Sequence, residues 1–264
     1  MNRRDLLKAG LALVPVALGA RVMPIEAADE PDFDLPSGSG VPEGHFFAQT
    51  GGSGSTGFPV FNDRQAPMWT IFKGAGGVAQ WGYPISDRWV DVLGRVNQAF
   101  QKGVFQLTVR PQGQLVKIEW LNVYDELAAR QVNLDNLADL TPPSFDWSSD
   151  AGRAWGHTAD GPGPGTVEAN HLDVVFGHAD AFPRLWRTYL ANPSWFDQYG
   201  LPMGVKDYGR VVAVRCQRAA LQLWKDQTPW TSAPGEVVFA NSGEVARKYG
   251  LVPPAAATAK PSPW

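Results

Sequence analysis

The chain has 264 residues, a formal net charge of −3 and a single cysteine, Cys216. No cluster of Lys and Arg supplies the basic face that counterion release requires, so a nucleic-acid partner is not expected. A lone cysteine cannot form an internal disulfide, and Cys216 lies in a β-rich segment, so the sequence predicts that it is a buried apolar residue.

The N-terminus has the features of an export signal. Arg3 and Arg4 precede an apolar stretch over residues 9–20, and two small residues follow at positions 27 and 28. This order resembles a twin-arginine signal, whose paired arginines are read by an export receptor. Twelve helical residues rise about 18 Å against a hydrocarbon core of roughly 30 Å, so a permanent membrane anchor is not expected. We therefore predict a signal over residues 1–27 and an exported protein, either associated with the cell envelope or secreted.

Two segments are low in sequence complexity. Residues 28–57 are rich in Pro, Gly, Ser and acidic residues, with little apolar surface apart from His45, Phe46 and Phe47, and residues 253–264 are rich in Pro and Ala. Such compositions bury too little apolar surface to offset the entropy lost on ordering. The sequence therefore predicts a flexible tether with one docking point at 28–57 and a disordered tail at 253–264.

The remainder of the chain repeats itself at a spacing of about 118 residues. Gly82, a tyrosine and Pro84 are matched by Gly200, a leucine and Pro202, and Gly-Arg and Gln-containing segments follow each triplet. Glycine permits backbone angles that a side chain forbids and proline fixes φ, so these four residues are predicted to shape two equivalent structural turns.

Hydrophobic periodicity predicts a helix, the turn, a β-hairpin and a second helix in each copy. The first unit spans residues 58–131 and the second spans 179–252, and a loop-rich segment at 132–178 connects them. A unit of roughly 65 to 70 residues buries little apolar surface alone. We therefore predict an α+β fold in which two related helix–β-hairpin–helix units pack into one domain. The core stripe of the second unit's first helix is predicted to comprise Phe182, Leu185, Trp186, Tyr189 and Leu190.

The first unit resembles an LGFP-type repeat. The segment from Gly82 to Asp87 reads Gly-Tyr-Pro-Ile-Ser-Asp, and Gly94, Gln98, Phe100 and Gly103 follow it in the order typical of that family. The resemblance covers about residues 76–130 and implies a secreted bacterial envelope protein that associates with the cell wall. The second unit lacks the Ser-Asp pair, so it is the more degenerate copy.

Eleven tryptophans are available for stacking on sugar faces, which suits their flat rings. Together with the resemblance, they favour a non-catalytic module that binds cell-wall or surface polysaccharide through the loop ends of the first hairpin. The predicted ligand-binding residues are Trp81, Tyr83, Asp87 and Trp89.

Two alternatives remain open. A structural or protein-partner module of the envelope would expose apolar patches rather than an aromatic groove with polar neighbours. A secreted hydrolase would use the region of His157, His171 and His178, with those side chains and an aspartate converging on one cleft. The histidines lack the tight spacing typical of zinc ligands, and no catalytic or dinucleotide fingerprint occurs, so the sequence predicts neither a metal nor a cofactor and assigns no catalytic residue.

Overall fold

The computed structural model describes residues 33–35, 43–51, 55–109, 115–144, 183–229, 231 and 233–262. The predicted export signal with Arg3 and Arg4 lies outside these residues, as does the region of His157, His171 and His178. Among the described residues, no helix combines the length and the apolar character needed to cross a bilayer.

The strands of the described part form three four-stranded antiparallel sheets. The first sheet contains, in spatial order, β1 (Phe33–Leu35), β2 (Gly44–Phe47), β3 (Thr56–Phe61) and β12 (Lys260–Pro261). The second contains β4 (Trp89–Val90), β5 (Val96–Phe100), β6 (Gly103–Val109) and β7 (Leu115–Trp120). The third contains β11 (Glu236–Phe239), β10 (Ala220–Trp224), β9 (Val211–Cys216) and β8 (Pro202–Asp207).

The helices are short and flank the second and third sheets in the chain. They are α1 (Met68–Gly74), α2 (Gly77–Trp81), α3 (Val123–Ala129), α4 (Pro183–Leu190), α5 (Trp195–Tyr199) and α6 (Ser242–Lys248), and a 3₁₀ helix at Ala48–Gly51 follows β2. The α+β class predicted from the sequence is confirmed, although sheet predominates over helix.

The helix–β-hairpin–helix description of each unit is wrong. Each unit has two short helices, four strands and a final helix, so a sheet stands where we expected a hairpin. Residues 95–107, which the sequence indicates as one β-rich stretch, turn back at Gln101 and Lys102, where Phe100 pairs with Gly103 across β5 and β6. A two-residue turn without Asn, Asp or Pro gives little sequence signal, which explains the error.

The apolar stripe predicted for the second unit's first helix is confirmed at Leu185, Trp186 and Tyr189, which are buried on α4, while Phe182 lies outside the described residues. On α1, Met68 and Phe72 are buried at an i, i+4 spacing. The stripe therefore marks the core-facing side of each unit's first helix. At the end of α4, however, Leu190 is exposed.

Parts of the predicted tether and tail are ordered. Strand β2 pairs along β3, with Phe46 opposite Pro59 and Phe47 opposite Phe58, and both phenylalanines are buried. At the other end of the chain, β12 pairs with β3. Residues 45–47 are the docking point predicted within the tether, and the ordered strands extend beyond it to residue 44 and to residues 56–57. The disordered tail does not describe residues 253–262, because β12 pairs with the backbone of β3 there.

Two glutamines close the Gly–Pro turns in the same way. The backbone N–H of Tyr83 donates to Oε1 of Gln101 at 3.1 Å, and that of Leu201 donates to Oε1 of Gln217 at 3.0 Å. In return, the N–H of Gln101 donates to the Tyr83 carbonyl and the N–H of Gln217 donates to the Leu201 carbonyl, each at 3.0 Å. Each glutamine thus satisfies one donor and one acceptor of its own turn.

Both turns require glycine for the same two reasons. Gly82 and Gly200 each have φ of 72°, in the left-handed region that side chains rarely adopt. A Cβ at Gly82 would also lie 2.8 Å from Cβ of Gln101, and one at Gly200 would lie 2.8 Å from Cβ of Gln217.

The same glutamines join the two units. The N–H of Gly243 at the start of α6 donates to the Gln101 carbonyl at 3.0 Å, and the N–H of Tyr124 at the start of α3 donates to the Gln217 carbonyl at 3.3 Å. First-turn N–H groups have no partner within their own helix, so each unit's last helix is completed by a carbonyl of the other unit. Gln80 and Gln198, which occupy equivalent positions, also hydrogen-bond to each other at 2.8 Å.

One hydrophobic cluster is shared between the units. Its buried members are Ile85, Ala99, Val104, Val123, Tyr124, Leu127, Leu134, Ala220, Ala246, Val252 and Ala256. At its centre the hydroxyls of Tyr124 and Ser242 lie 3.0 Å apart. Burial raises the pKa of Tyr124 to about 12, so the phenol is neutral in this core.

Replacing Gly243 tests whether α6 depends on close contact with the first unit. A Cβ there would overlap the carbonyl oxygen of Phe100, so Gly243→Ala should lower the free energy of unfolding by about 1–3 kcal/mol or more. Gly74→Ala is the matched control because nothing lies within 4 Å of a Cβ at that helical position, and it should be neutral or slightly stabilising. Equal effects of the two substitutions in urea unfolding followed by tryptophan fluorescence would contradict the packing described.

Candidate functional site

Trp81 is enclosed and is not a surface contact. Its ring is only 3% exposed, its indole N–H donates to the Ala75 carbonyl at 2.9 Å, and it stacks on Trp120 with ring centroids 5.6 Å apart. A Cβ at Gly103 would come within 3.0 Å of the ring, so glycine is needed there to make room. The prediction that Trp81 stacks on a polysaccharide is wrong, because the ring faces the core of the first unit.

The other three predicted ligand residues each have partners within the chain. The ring of Tyr83 lies 5.9 Å from that of Phe47 in an edge-on arrangement. The Asp87 carboxylate, 18% exposed, pairs with the ammonium of Lys260 at 2.5 Å. Trp89 is half-buried against the shared cluster. The four residues therefore do not converge on one open groove.

The turn prolines are held at equivalent places. Pro84 forms an isolated antiparallel bridge with Phe100, and Pro202 pairs with Cys216 at the start of β8. Together with the two glycines they set the path of the chain between each unit's second helix and its sheet.

The remaining residues of the family-like pattern also serve packing. Oγ of buried Ser86 accepts the N–H of Ala99 at 2.9 Å, while Nε2 of buried Gln98 donates to the carbonyls of Ser86 and Pro59 at 3.0 and 2.9 Å. These bonds fasten the turn after Pro84 to β5 and β3. The pattern therefore describes the shape of the unit rather than a ligand contact.

An apolar turn projects from the first unit between β4 and β5. Val92 is fully exposed, Leu93 is 71% exposed and neighbouring Val90 is 58% exposed. We call these three residues the apolar tip. Single exposed apolar residues are ordinary on protein surfaces, but three within four positions concentrate apolar surface at one turn.

The apolar tip is held by Asp91. One carboxylate oxygen accepts the N–H groups of Leu93 and Arg95 at 2.9 and 3.0 Å, and the other accepts Nε of Arg95 at 2.7 Å. Burial alone would raise the pKa of Asp91, but these hydrogen bonds and the guanidinium charge outweigh it and hold the pKa below its usual value of 3.8. The turn is therefore a fixed projection at neutral pH.

The second unit builds the corresponding turn without an apolar tip. Asp207 accepts the N–H of Gly209 at 2.8 Å, as Asp91 accepts turn N–H groups in the first unit. Its intervening residue, Tyr208, is half-buried and donates its hydroxyl to Asp135 at 2.7 Å. Turn geometry needs the aspartate and the glycine only, so Val92 and Leu93 are not required by the fold.

Chemical groups for catalysis or metal binding are sparse. In the described part of the chain, no three His, Cys, Asp or Glu side chains are grouped so that they could hold a metal ion. Cys216 is fully buried in β9, and burial raises the pKa of its thiol, so it is not an accessible nucleophile.

The sequence interpretation missed the apolar tip. A usable signal was present, because Asp91 and Gly94 bracket two large apolar residues at a place where turns normally carry Gly, Asn or Ser. Comparison with protein-family models, with curated proteins and with solved structures gives no match to this chain. The likeness to an LGFP-type repeat therefore stays a prediction.

The pH dependence of the turn should report the lowered pKa of Asp91. Its stabilising bonds are present above the pKa of an unfolded aspartate and are lost as pH falls through the lower folded value. In NMR spectra we expect the amide protons of Leu93 and Arg95 to titrate together with a midpoint below 3.8, and Asp91→Asn should abolish the titration. A midpoint at or above 3.8 would contradict the geometry.

Proposed function

We propose that the protein is an exported, non-catalytic protein-partner module of the cell envelope. The observation that carries this proposal is the difference between the two equivalent turns, since only the first exposes large apolar side chains. Exposed apolar patches mark interaction sites, because they gain free energy when a partner removes them from water. The proposed export to the cell envelope rests on the paired Arg3 and Arg4 and on the apolar stretch after them.

The proposed contact is a convex projection, so it suits a shallow apolar pocket on a partner. Asp91 fixes the backbone before binding, which lowers the entropy lost when the apolar tip is immobilised. The Arg95 guanidinium is already paired with Asp91 at 2.7 Å, so the projection presents no isolated charge to be buried.

Polysaccharide binding is a second candidate function, and of the four predicted ligand-binding residues only Tyr83 and Trp89 would serve it. Tyr83 lies in the turn that follows Trp81 and Trp89 lies after that turn, and both residues are partly exposed. A partly exposed ring can stack on a sugar face, whereas the enclosed ring of Trp81 cannot. The second candidate therefore depends mainly on Trp89.

Replacing the apolar tip by polar residues tests the leading proposal. The double variant Val92→Ser and Leu93→Ser should capture its envelope partner roughly 30-fold less well than the wild type, which corresponds to about 2 kcal/mol. Leu137→Ser is the matched control, because Leu137 is 79% exposed at a distant position in the chain and its loss should leave capture unchanged. A benzophenone amino acid at position 93 should crosslink to the captured partner, and the unfolding free energies of all variants should agree within about 0.5 kcal/mol.

A retention assay with the same variants distinguishes the two candidate functions. Purified wall and insoluble polysaccharides are offered to the wild type, to the tip variant and to Trp89→Ala. Retention on polysaccharide that is lost only in Trp89→Ala, with no crosslink at position 93, would contradict the protein-partner proposal and support the second candidate.

A further inference from the structure

Strand β7 is an outer strand of the second sheet. It pairs with β6 on one side, and no strand in the described part of the chain pairs with its other side. Just beyond β7, the Leu121 N–H donates to the Val104 carbonyl at 2.9 Å, and Phe105 pairs with Trp120. Backbone groups of alternate residues point to opposite sides of a strand in such a ladder, so the N–H and carbonyl of Ile118 point away from β6. Ile118 is also 39% exposed, so an incoming strand would meet both its backbone and its side chain.

The outer side of β7 is closed at one end. The Trp120 carbonyl, which also points away from β6, accepts Nε of Arg218 at 3.1 Å. Nη1 of the same guanidinium donates to the Phe196 carbonyl of α5 at 2.8 Å. Because Arg218 lies against Trp120, an added strand would pair mainly with residues 117–119. The contact is therefore short, and the association that it supports is weak and dependent on concentration.

Two opposite charges flank Ile118 in the strand. Lys117 and Glu119 lie on the same face of β7 because side chains alternate, and Nζ of Lys117 lies 2.5 Å from Oε1 of Glu119. Their side chains are 63% and 34% exposed, so both are within reach of a neighbouring chain. Strand β11 of the second unit has Glu236 and Val238 at the equivalent positions. The fold therefore does not require this charge pair.

The charges favour one pairing of β7 with a second copy of itself. In a two-fold antiparallel pair, the outward backbone groups meet when Ile118 stands opposite residue 116, 118 or 120 of the other copy. Opposite residue 116, the two copies of Lys117 face each other, and opposite residue 120, the two copies of Glu119 do. Opposite residue 118, each Lys117 faces the Glu119 of the other copy. Like charges directly opposite each other are destabilising and opposite charges are stabilising, so the strand is self-complementary in this last register alone.

We propose that β7 is a self-association site, at which two copies of this chain pair antiparallel about Ile118. Each Ile118 exchanges its N–H and carbonyl with those of its counterpart, and two ion pairs between Lys117 and Glu119 form across the interface. The site lies at the opposite edge of the second sheet from the apolar tip, and it does not depend on the function proposed for that tip.

Reversing one charge at a time in the full chain tests the site and its register. Sedimentation velocity over a concentration series should show a wild-type dimer. Lys117→Glu and Glu119→Lys each place like charges opposite each other at both ion pairs, so either variant alone should dimerise roughly tenfold more weakly. An equimolar mixture of the two variants should recover the wild-type affinity, because both pairs between unlike chains are again of opposite charge. The pair within each chain stays lost in the mixture, so recovery reports the contact between chains.

Ile118→Pro removes the outward N–H without removing a bond to β6, so it should abolish the dimer. Arg210→Glu is the matched control, since Arg210 forms an exposed pair with Asp226 at 3.1 Å in the second unit, and it should leave dimerisation unchanged. A wild type that stays monomeric up to about 1 mM, equal dimerisation of the single-charge variants and the wild type, or no recovery in the mixture would overturn the proposal. Dimerisation that Val92→Ser with Leu93→Ser abolishes would assign self-association to the apolar tip and would likewise overturn it.

Discussion

The fold depends on two equivalent glutamines. Gln101 and Gln217 each accept and donate one hydrogen bond within their own Gly–Pro turn, and each offers its carbonyl to the first turn of the other unit's last helix. A buried helix start needs partners for its free N–H groups, and in this protein those partners come from across the unit boundary. Loss of one unit's turn would therefore remove a hydrogen-bond partner from the first turn of a helix in the other unit.

This reciprocal arrangement separates structural features from candidate functional ones. The two glycines, the two prolines, the aspartates at the start of the β4–β5 and β8–β9 turns and the helix contacts occur in both units, so the fold accounts for them. The apolar tip and the charge pair of Lys117 and Glu119 occur in the first unit alone. A feature that the first unit has, and that the second unit folds without, is a candidate for binding.

The sequence predicted the parts of the fold that depend on local chemistry. A spacing of about 118 residues between matching triplets located both turns, and apolar periodicity located α1 and α4. The β5–β6 reversal was missed because Gln101 and Lys102 are not typical turn residues, and their role depends on contacts made through Gln101. Ordering of the tail was missed because a composition of Pro and Ala gives no sign that β3 has a free edge.

The candidate site was predicted less well, because exposure is a tertiary property. A tryptophan beside a turn suits either a sugar platform or a core, and only the positions of Trp120 and Gly103 place Trp81 inside. Asp91 and Gly94 mark a turn around Val92 and Leu93, but the apolar character of the two residues does not show whether they are buried or exposed. What exposes them is the hydrogen bonding of Asp91, which turns the chain outward.

Native-state hydrogen exchange on wild type and Gln217→Ala tests the reciprocal arrangement most directly. Removing Oε1 of Gln217 loosens the second unit's turn and, through the Gln217 carbonyl, the start of α3. If the two units unfold together, the opening free energies of the most protected amides in β5 and β6 should fall by the same amount as those in β9 and β10. Loss of protection in β9 and β10 alone, with β5 and β6 unchanged, would contradict the account.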